Sequence, residues 1–199
     1  MATPSTRDRI VDAGAELFLH QGYVGTGMKQ IVATSGAPFG SVYHHFPGGK
    51  EELGVAAVHR AGAGYAALVS VTLDAHDDIV EATAAAFAEA ADHLEASGWA
   101  DACPIATVAL EVAGASEPLR QACAEVFESW FVGLTARFED AGIAADRARP
   151  LAQVVLMLLE GGFLFGRTAR TTEALDAAGP AAVAAVRAAL SATAGRRDG

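Results

Sequence analysis

The stretch Thr26-Gly-Met-Lys-Gln-Ile-Val-Ala-Thr-Ser-Gly36-Ala-Pro-Phe-Gly-Ser-Val-Tyr-His-His-Phe46 decides the fold. Two short helical patterns, residues 28–34 and 38–45, flank a turn that needs the glycine at Gly36. Ile31 and Val32 in the first pattern, with Val42 and Phe46 around the second, supply apolar contacts that hold two helices at a steep angle. Phe39 and Tyr43 face away from that contact. This spacing predicts a helix-turn-helix whose second helix enters the DNA major groove. On spacing alone the reading is weak, because short helix pairs around a glycine are common in all-α proteins.

The flanking residues add to it. Ile10, Ala13, Phe18 and Gly22-Tyr23 mark a first helix and its end, followed by Thr26, Ile31 and Gly36. Gly40, Tyr43, His45-Phe46, Lys50-Glu51 and Leu53 continue the pattern. In combination these residues resemble the N-terminal domain of the tetracycline-repressor (TetR) family of transcriptional regulators, over about a quarter of the chain. The resemblance implies an all-α protein with two parts. Residues 1–60 would form a three-helix, helix-turn-helix head, and residues 61–199 a larger helical domain for ligand binding and dimerisation. Pro38 and Phe39 stand where that family usually has a serine cap and a polar or basic residue, and Ala37 replaces the usual valine. The operator preference of relatives therefore does not carry over.

Composition agrees with a packed helical protein. Of the 199 residues, 52% are hydrophobic and 19% charged, enough for a sizeable core and unlike a disordered chain. The second half is rich in alanine, the strongest helix former. The net charge of −10 looks wrong for a DNA-binding protein until its distribution is examined. Residues 1–60 carry five basic and five acidic side chains, so the whole acidic excess lies beyond them. A neutral head on an acidic body permits DNA binding. The same charges also keep an alanine-rich protein soluble. Cys103 and Cys123 have neither metal-ligand spacing nor a disulfide framework. The polar start of the chain is not a signal peptide, and the most apolar run, residues 151–165, is interrupted by Gln153 and Glu160 and too short for a bilayer. These features predict a cytoplasmic protein with no membrane partner.

Periodicity and caps predict the remaining helices. The first runs from Ser5 or Thr6 to about Gln21, and a long one from Lys50 to about Leu73. Others start near Ile79, at Pro104, at Ser116 and at Asp146, and two more start at Thr172 and Pro180. Gly195-Arg-Arg-Asp-Gly reads as a frayed tail.

For DNA contact, Pro38, Phe39, Gly40, Ser41, Tyr43 and His44 occupy the second helix of the motif. Hydroxyls and imidazole nitrogens reach phosphates or base edges, and Phe39 suits a thymine methyl. Thr26 offers a hydroxyl and helix-terminal N–H groups to a phosphate, while Lys29 and Lys50 offer point charges. His45 and Phe46 read as packing residues. Only one strongly basic residue is expected beside the second helix, so binding double-stranded operator DNA calls for a homodimer on a palindromic site. Its surface would come from residues 151–165 and 181–190, where Gly161-Gly162 costs stability unless backbones approach closely.

A small-molecule effector needs an apolar cavity with a few placed polar groups. Phe87, Trp99, Phe127, Trp130, Phe131, Met157 and Phe163 supply apolar surface, and Thr107, Glu111, Gln153 and Glu160 supply polarity. Taken singly, each aromatic is better explained by a core, and only the set suggests a cavity. Phe46-Pro-Gly-Gly-Lys-Glu-Glu-Leu53 and Cys103-Pro-Ile-Ala-Thr-Val-Ala-Leu-Glu111 resemble the TetR branch that contains the lincomycin-resistance repressor. That resemblance implies repression and a small aromatic or amphipathic effector. No catalytic, metal-binding or cofactor motif is present, and His44 and His45 are expected on different sides of their helix. The alternative is a helical small-molecule carrier or protein-interaction module that does not bind DNA.

Overall fold

The computed structural model describes residues 4–101 and 103–197, with side chains described as far as Thr193. Residues 1–3, 198 and 199, which include the start of the chain and the end of the expected tail, lie outside the described residues. Among the described residues the protein is all-α, with nine helices and no strand. They are α1 (Thr6–Gly25), α2 (Met28–Ser35), α3 (Phe39–His45), α4 (Gly49–Asp74), α5 (Ile79–Ala96), α6 (Pro104–Val112), α7 (Glu117–Asp140), α8 (Ala145–Ala169) and α9 (Glu173–Arg197).

The chain forms two compact units and passes from the first to the second after Tyr65, but the first also takes in a later segment. The first contains residues up to Tyr65 together with Cys103–Phe127, so α6 and the start of α7 belong with the helix-turn-helix. The second contains Ala66–Ala102 and the residues from Glu128 onward.

In the first unit, Ser5 caps α1. Its hydroxyl oxygen accepts the Asp8 N–H at 3.1 Å and its O–H donates to the Asp8 carboxylate at 2.7 Å. That bond, reinforced by the Arg60 guanidinium at 2.8 Å, holds the Asp8 carboxyl below its ordinary range. Ile10, Val11, Leu17 and Phe18 bury one face of α1, and Ile31, Val42, Phe46 and Leu53 close the core. α1, α4 and α6 meet around a void too narrow for water, lined by Phe18, Val58, Ile105 and Val108 among others. Regular helix in α1 stops at Gly22, whose φ of 72° is open to glycine and strained for other residues.

Both cysteines are buried here. Cys103 is the N-cap of α6, its sulfur accepting the Ala106 N–H at 3.4 Å. Burial pushes the Cys123 thiol from its ordinary value of 9.0 up to about 11. At pH 8 Ellman's reagent is therefore expected to leave both thiols of the native protein unlabelled and to react with both after unfolding. The unfolded chain ionises Cys123 first, so this group leaves stability unchanged below about pH 9 and lowers it as pH rises toward 11. Rapid native-state labelling of Cys123 would contradict the burial.

The second unit is built on α5, α8 and α9. Phe87 and Leu94 of α5, Leu151, Val155, Leu159 and Phe163 of α8, and Leu175, Ala182 and Val186 of α9 are buried. Gly162 is required at one crossing. A Cβ there would lie 2.5 Å from Leu175 Cδ2, so close approach within the subunit explains this glycine, whereas Gly161 faces open space.

Two helix expectations are corrected. Pro180 does not begin a new helix but lies inside α9, which is continuous from Glu173 to Arg197. The alanine-rich turns on either side sustain the helix despite the missing N–H. α9 also carries residues 195–197, which were read as frayed. α8 runs 25 residues, beyond the expected apolar stretch, and by length and composition it is long enough to cross a membrane. Its buried face and the Arg149–Glu128 ion pair at 2.7 Å instead place it as a core helix of its unit.

Candidate nucleic-acid interface

The recognition surface rests on α2 and α3. Gly36, in the left-handed region at φ 61°, caps α2, and the Ser35 hydroxyl accepts the Ala37 N–H at 3.2 Å to order the turn. Pro38 precedes α3 as its N-cap without a side-chain bond. Val42 of α3, with Phe46 just beyond it, points into the core. The opposite face carries Phe39 and Tyr43, one helical turn apart, 50% and 48% exposed. Their ring centroids lie 5.6 Å apart, so they form one aromatic ridge. Gly40 leaves a gap beside it, Ser41 is half-buried and His44 is exposed. Tyr43 is thus an exposed residue and not part of the core. His44 and His45 do not point to different sides as expected. Their rings meet edge to face at 5.1 Å. No group of three or more metal-ligating side chains occurs among the described residues.

One expected phosphate contact changes role, and a second is packed on an aromatic ring. Thr26 is buried, and its hydroxyl donates to the Gly22 carbonyl at 2.7 Å, tying the α1–α2 junction together. The hydroxyl is thus turned inward and is not presented to a phosphate. Lys50 lies with its ammonium 4.2 Å from the centroid of the Tyr23 ring. Burial lowers its pKa, and the nearby Glu111 carboxylate raises it in partial opposition. Burial also raises the Tyr23 phenol, with the negative charge of Glu51 adding to the effect. Lys29 is exposed as expected.

The sequence reading missed two arginines. Arg7, exposed on α1, sits 5.3 Å from the centroid of Phe46, immediately after α3. A second strong base therefore stands beside the recognition helix, contrary to expectation. Arg9 donates to the Ser35 carbonyl at 3.3 Å, at the negative end of α2. Both arginines lie on α1, far from the motif in sequence, and only their position two and four residues after the Ser5 cap hinted at their placement.

The expected effector residues are distributed over both units. In the first, the Thr107 hydroxyl donates to the Cys103 carbonyl at 3.0 Å and Phe127 is half-buried. Glu111 does not face an apolar cavity. It is exposed, and its carboxylate accepts the Val24 N–H at 2.9 Å. In the second unit, Phe87 is buried, while Trp99, Trp130, Phe131 and Glu160 are half-buried. Gln153 and Met157 face away from the core on α8, Met157 being 61% exposed. Of this set, Phe87 lines an open apolar groove of about 370 Å³ between α5 and α9, with Ala84, Gly179, Pro180 and Val183.

Comparisons with known proteins agree with this architecture. Residues 10–57 match the bacterial regulatory proteins of the tetR family. Residues 79–181 match the C-terminal domain of LmrA/YxaF-like transcriptional regulators. The chain is 34% identical over 175 residues to the HTH-type transcriptional regulator LmrA of Bacillus subtilis (strain 168), covering 88% of this chain and 93% of that protein. It is 28% identical to the HTH-type transcriptional repressor DhaR of Mycobacterium sp. (strain GP1), covering 88% and 89%. A TetR-family regulator from Cytophaga hutchinsonii shares the fold with a TM-score of 0.80 at 20% identity, over 94% of this chain and 98% of that one. A helix-turn-helix with an outward aromatic ridge, matched in both parts of the chain, makes this protein a member of the TetR family of DNA-binding transcriptional regulators, with an LmrA/YxaF-like C-terminal domain.

Proposed function

We propose that the protein is a cytoplasmic repressor that binds a palindromic operator as a homodimer and releases it when a small aromatic or amphipathic effector binds. The observation that carries the reading is the Phe39–Tyr43 ridge, set on a helix whose other face is fixed in the core by Val42. Tyr43 has a donor and acceptor for phosphate or base edge, and Phe39 has an apolar face for a thymine methyl. Lys29 and Arg7 supply phosphate charges on either side. Thr26 contributes through its structure-forming bond, and Lys50 through packing on Tyr23 as well as charge.

Dimerisation is supported by what the second unit leaves uncovered. On α8, Val154, Met157, Leu164 and Phe165 are exposed around Gly161. On α9, Ala177, Ala181, Ala184 and Ala188 form an exposed row of small residues at helical spacing. A second copy applying the same two faces would bury both and bring two recognition helices to successive major grooves, roughly 34–36 Å apart. The groove beside Phe87 and the half-buried Trp130 and Phe131 supply apolar surface for an effector.

The test is enrichment of duplexes from a random double-stranded library, followed by binding measurements on the recovered sequence. Tyr43→Ala is expected to weaken binding by about 5–150-fold, the value of a lost specific contact of about 1–3 kcal/mol. Lys29→Ala is expected to weaken binding to all sequences and to reduce the salt slope of log K by about one. Light scattering should give a dimer at micromolar concentration. Recovery of no duplex, or full affinity in both variants, would favour a helical carrier that does not use this face.

A further inference from the structure

We propose that Glu111 is a positioning residue for DNA binding: from α6 its carboxylate grips the α1–α2 junction and so fixes where the helix-turn-helix begins. The inference rests on the DNA-binding reading above. Its basis is a joint made of three fitted parts. The Val24 N–H donates to Glu111 Oε2 at 2.9 Å. Gly22, in a left-handed conformation, provides the space, since a Cβ there would lie 2.1 Å from Glu111 Oε1. The Lys50 ammonium, packed over the Tyr23 ring, places a positive charge near the same carboxylate.

The junction needs such a grip. Val24 is 70% exposed, so apolar burial does little to immobilise the turn. Within the turn, the Thr26 hydroxyl bonds the Gly22 carbonyl and the Thr26 N–H bonds the Tyr23 carbonyl at 3.3 Å, which makes residues 22–26 a single ordered piece. That piece leads directly to Gly27, the N-cap of α2, which has no side-chain cap of its own. An angular error here is carried through α2 to the Phe39–Tyr43 ridge. Glu111 is part of α6, which packs on α1, so a long-range, charge-assisted bond fixes the piece from outside the motif. A second bond of the same kind lies nearby, where the Ser116 hydroxyl donates to Glu51 Oε1 at 2.6 Å.

The experiment compares wild type, Glu111→Gln and Glu111→Ala in the full-length protein. Hydrogen exchange at residues 22–27 is followed, with thermal midpoint and affinity for a duplex enriched on the wild type. Glu111→Ala is expected to speed Val24 exchange and weaken DNA binding by about tenfold, the scale of one specific DNA contact misplaced with the junction. Glu111→Gln retains an acceptor and should recover part of both effects. The thermal midpoint should hardly move, because the side chain is exposed, and this separates positioning from a general structural role. Wild-type exchange at Val24 in Glu111→Ala would overturn the joint, and faster exchange with unchanged affinity would overturn its role in positioning. Should Glu111→Ala lower the midpoint, the same criteria apply to Glu111→Gln. If the wild type enriches no duplex, the DNA-binding reading fails and this role fails with it, while Val24 exchange still reports on the joint.

Discussion

Phe46→Ala is expected to destabilise the protein by about 3–5 kcal/mol, a large share of a typical domain's stability. Phe46 is among the largest fully buried side chains. It directly follows α3, and its N–H donates to the Val42 carbonyl at 2.8 Å, so backbone and ring both anchor the end of the recognition helix. The truncation leaves a cavity behind α3 and removes the surface under Arg7. Urea unfolding followed by circular dichroism measures the loss. DNA binding should fall with it even where most molecules remain folded, because the Phe39–Tyr43 ridge loses its support. A cost below about 1 kcal/mol would mean that the region repacks around the missing ring.

The second large effect is expected at Gly62. A Cβ added there would lie 2.3 Å from Val126 Cγ1, 2.8 Å from Cγ2 and 3.2 Å from Cβ. Val126 is β-branched and held in a helix, so it has almost no rotamer freedom with which to yield. Gly62→Val should therefore separate α4 from α7 and cost about 1–3 kcal/mol or somewhat more, despite the better helix propensity of valine. Gly64, two residues along the same helix, is the control. Nothing lies within 4 Å of an added Cβ there, so Gly64→Ala should stabilise by up to about 1 kcal/mol. Thermal unfolding of the two variants should give shifts of opposite sign. Equal shifts would show that α4 and α7 are not in tight contact at this point.

Much of this fold was legible because its signals are local. Pro104, Gly36, Ser5 and the Ile10–Phe18 stripe mark their helices through caps and periodicity that need no partner. Pro180 misled the reading because proline is a strong local signal, overridden here by the helix around it. The recognition face was legible too, since Val42 and Tyr43 differ in burial as their helical positions require. The polar residues were harder. Thr26, Lys50 and Glu111 carry the same chemistry whether they meet phosphate, a backbone carbonyl or an aromatic ring. Which partner they take depends on helices distant in sequence. Glu111 and Val24 are 87 positions apart, and no periodicity encodes that bond. Arg7 and Arg9 were missed for the same reason.

The first unit is completed by a segment that arrives late from the ribosome. Its core draws on the chain up to Tyr65 and again on Cys103–Phe127. From Tyr65 to the end of α6 at Val112, at typical elongation rates of about 5–20 residues per second, that gap lasts roughly 2–9 s. During this time the face of α1 that α6 covers is without its partner, and the bond from Glu111 to Val24 cannot form. Nascent chains are then at their most exposed to chaperones and proteases. For the same reason a recombinant fragment ending near residue 60 would lack part of its own core. Such a fragment is a poor substitute for the intact chain in binding studies.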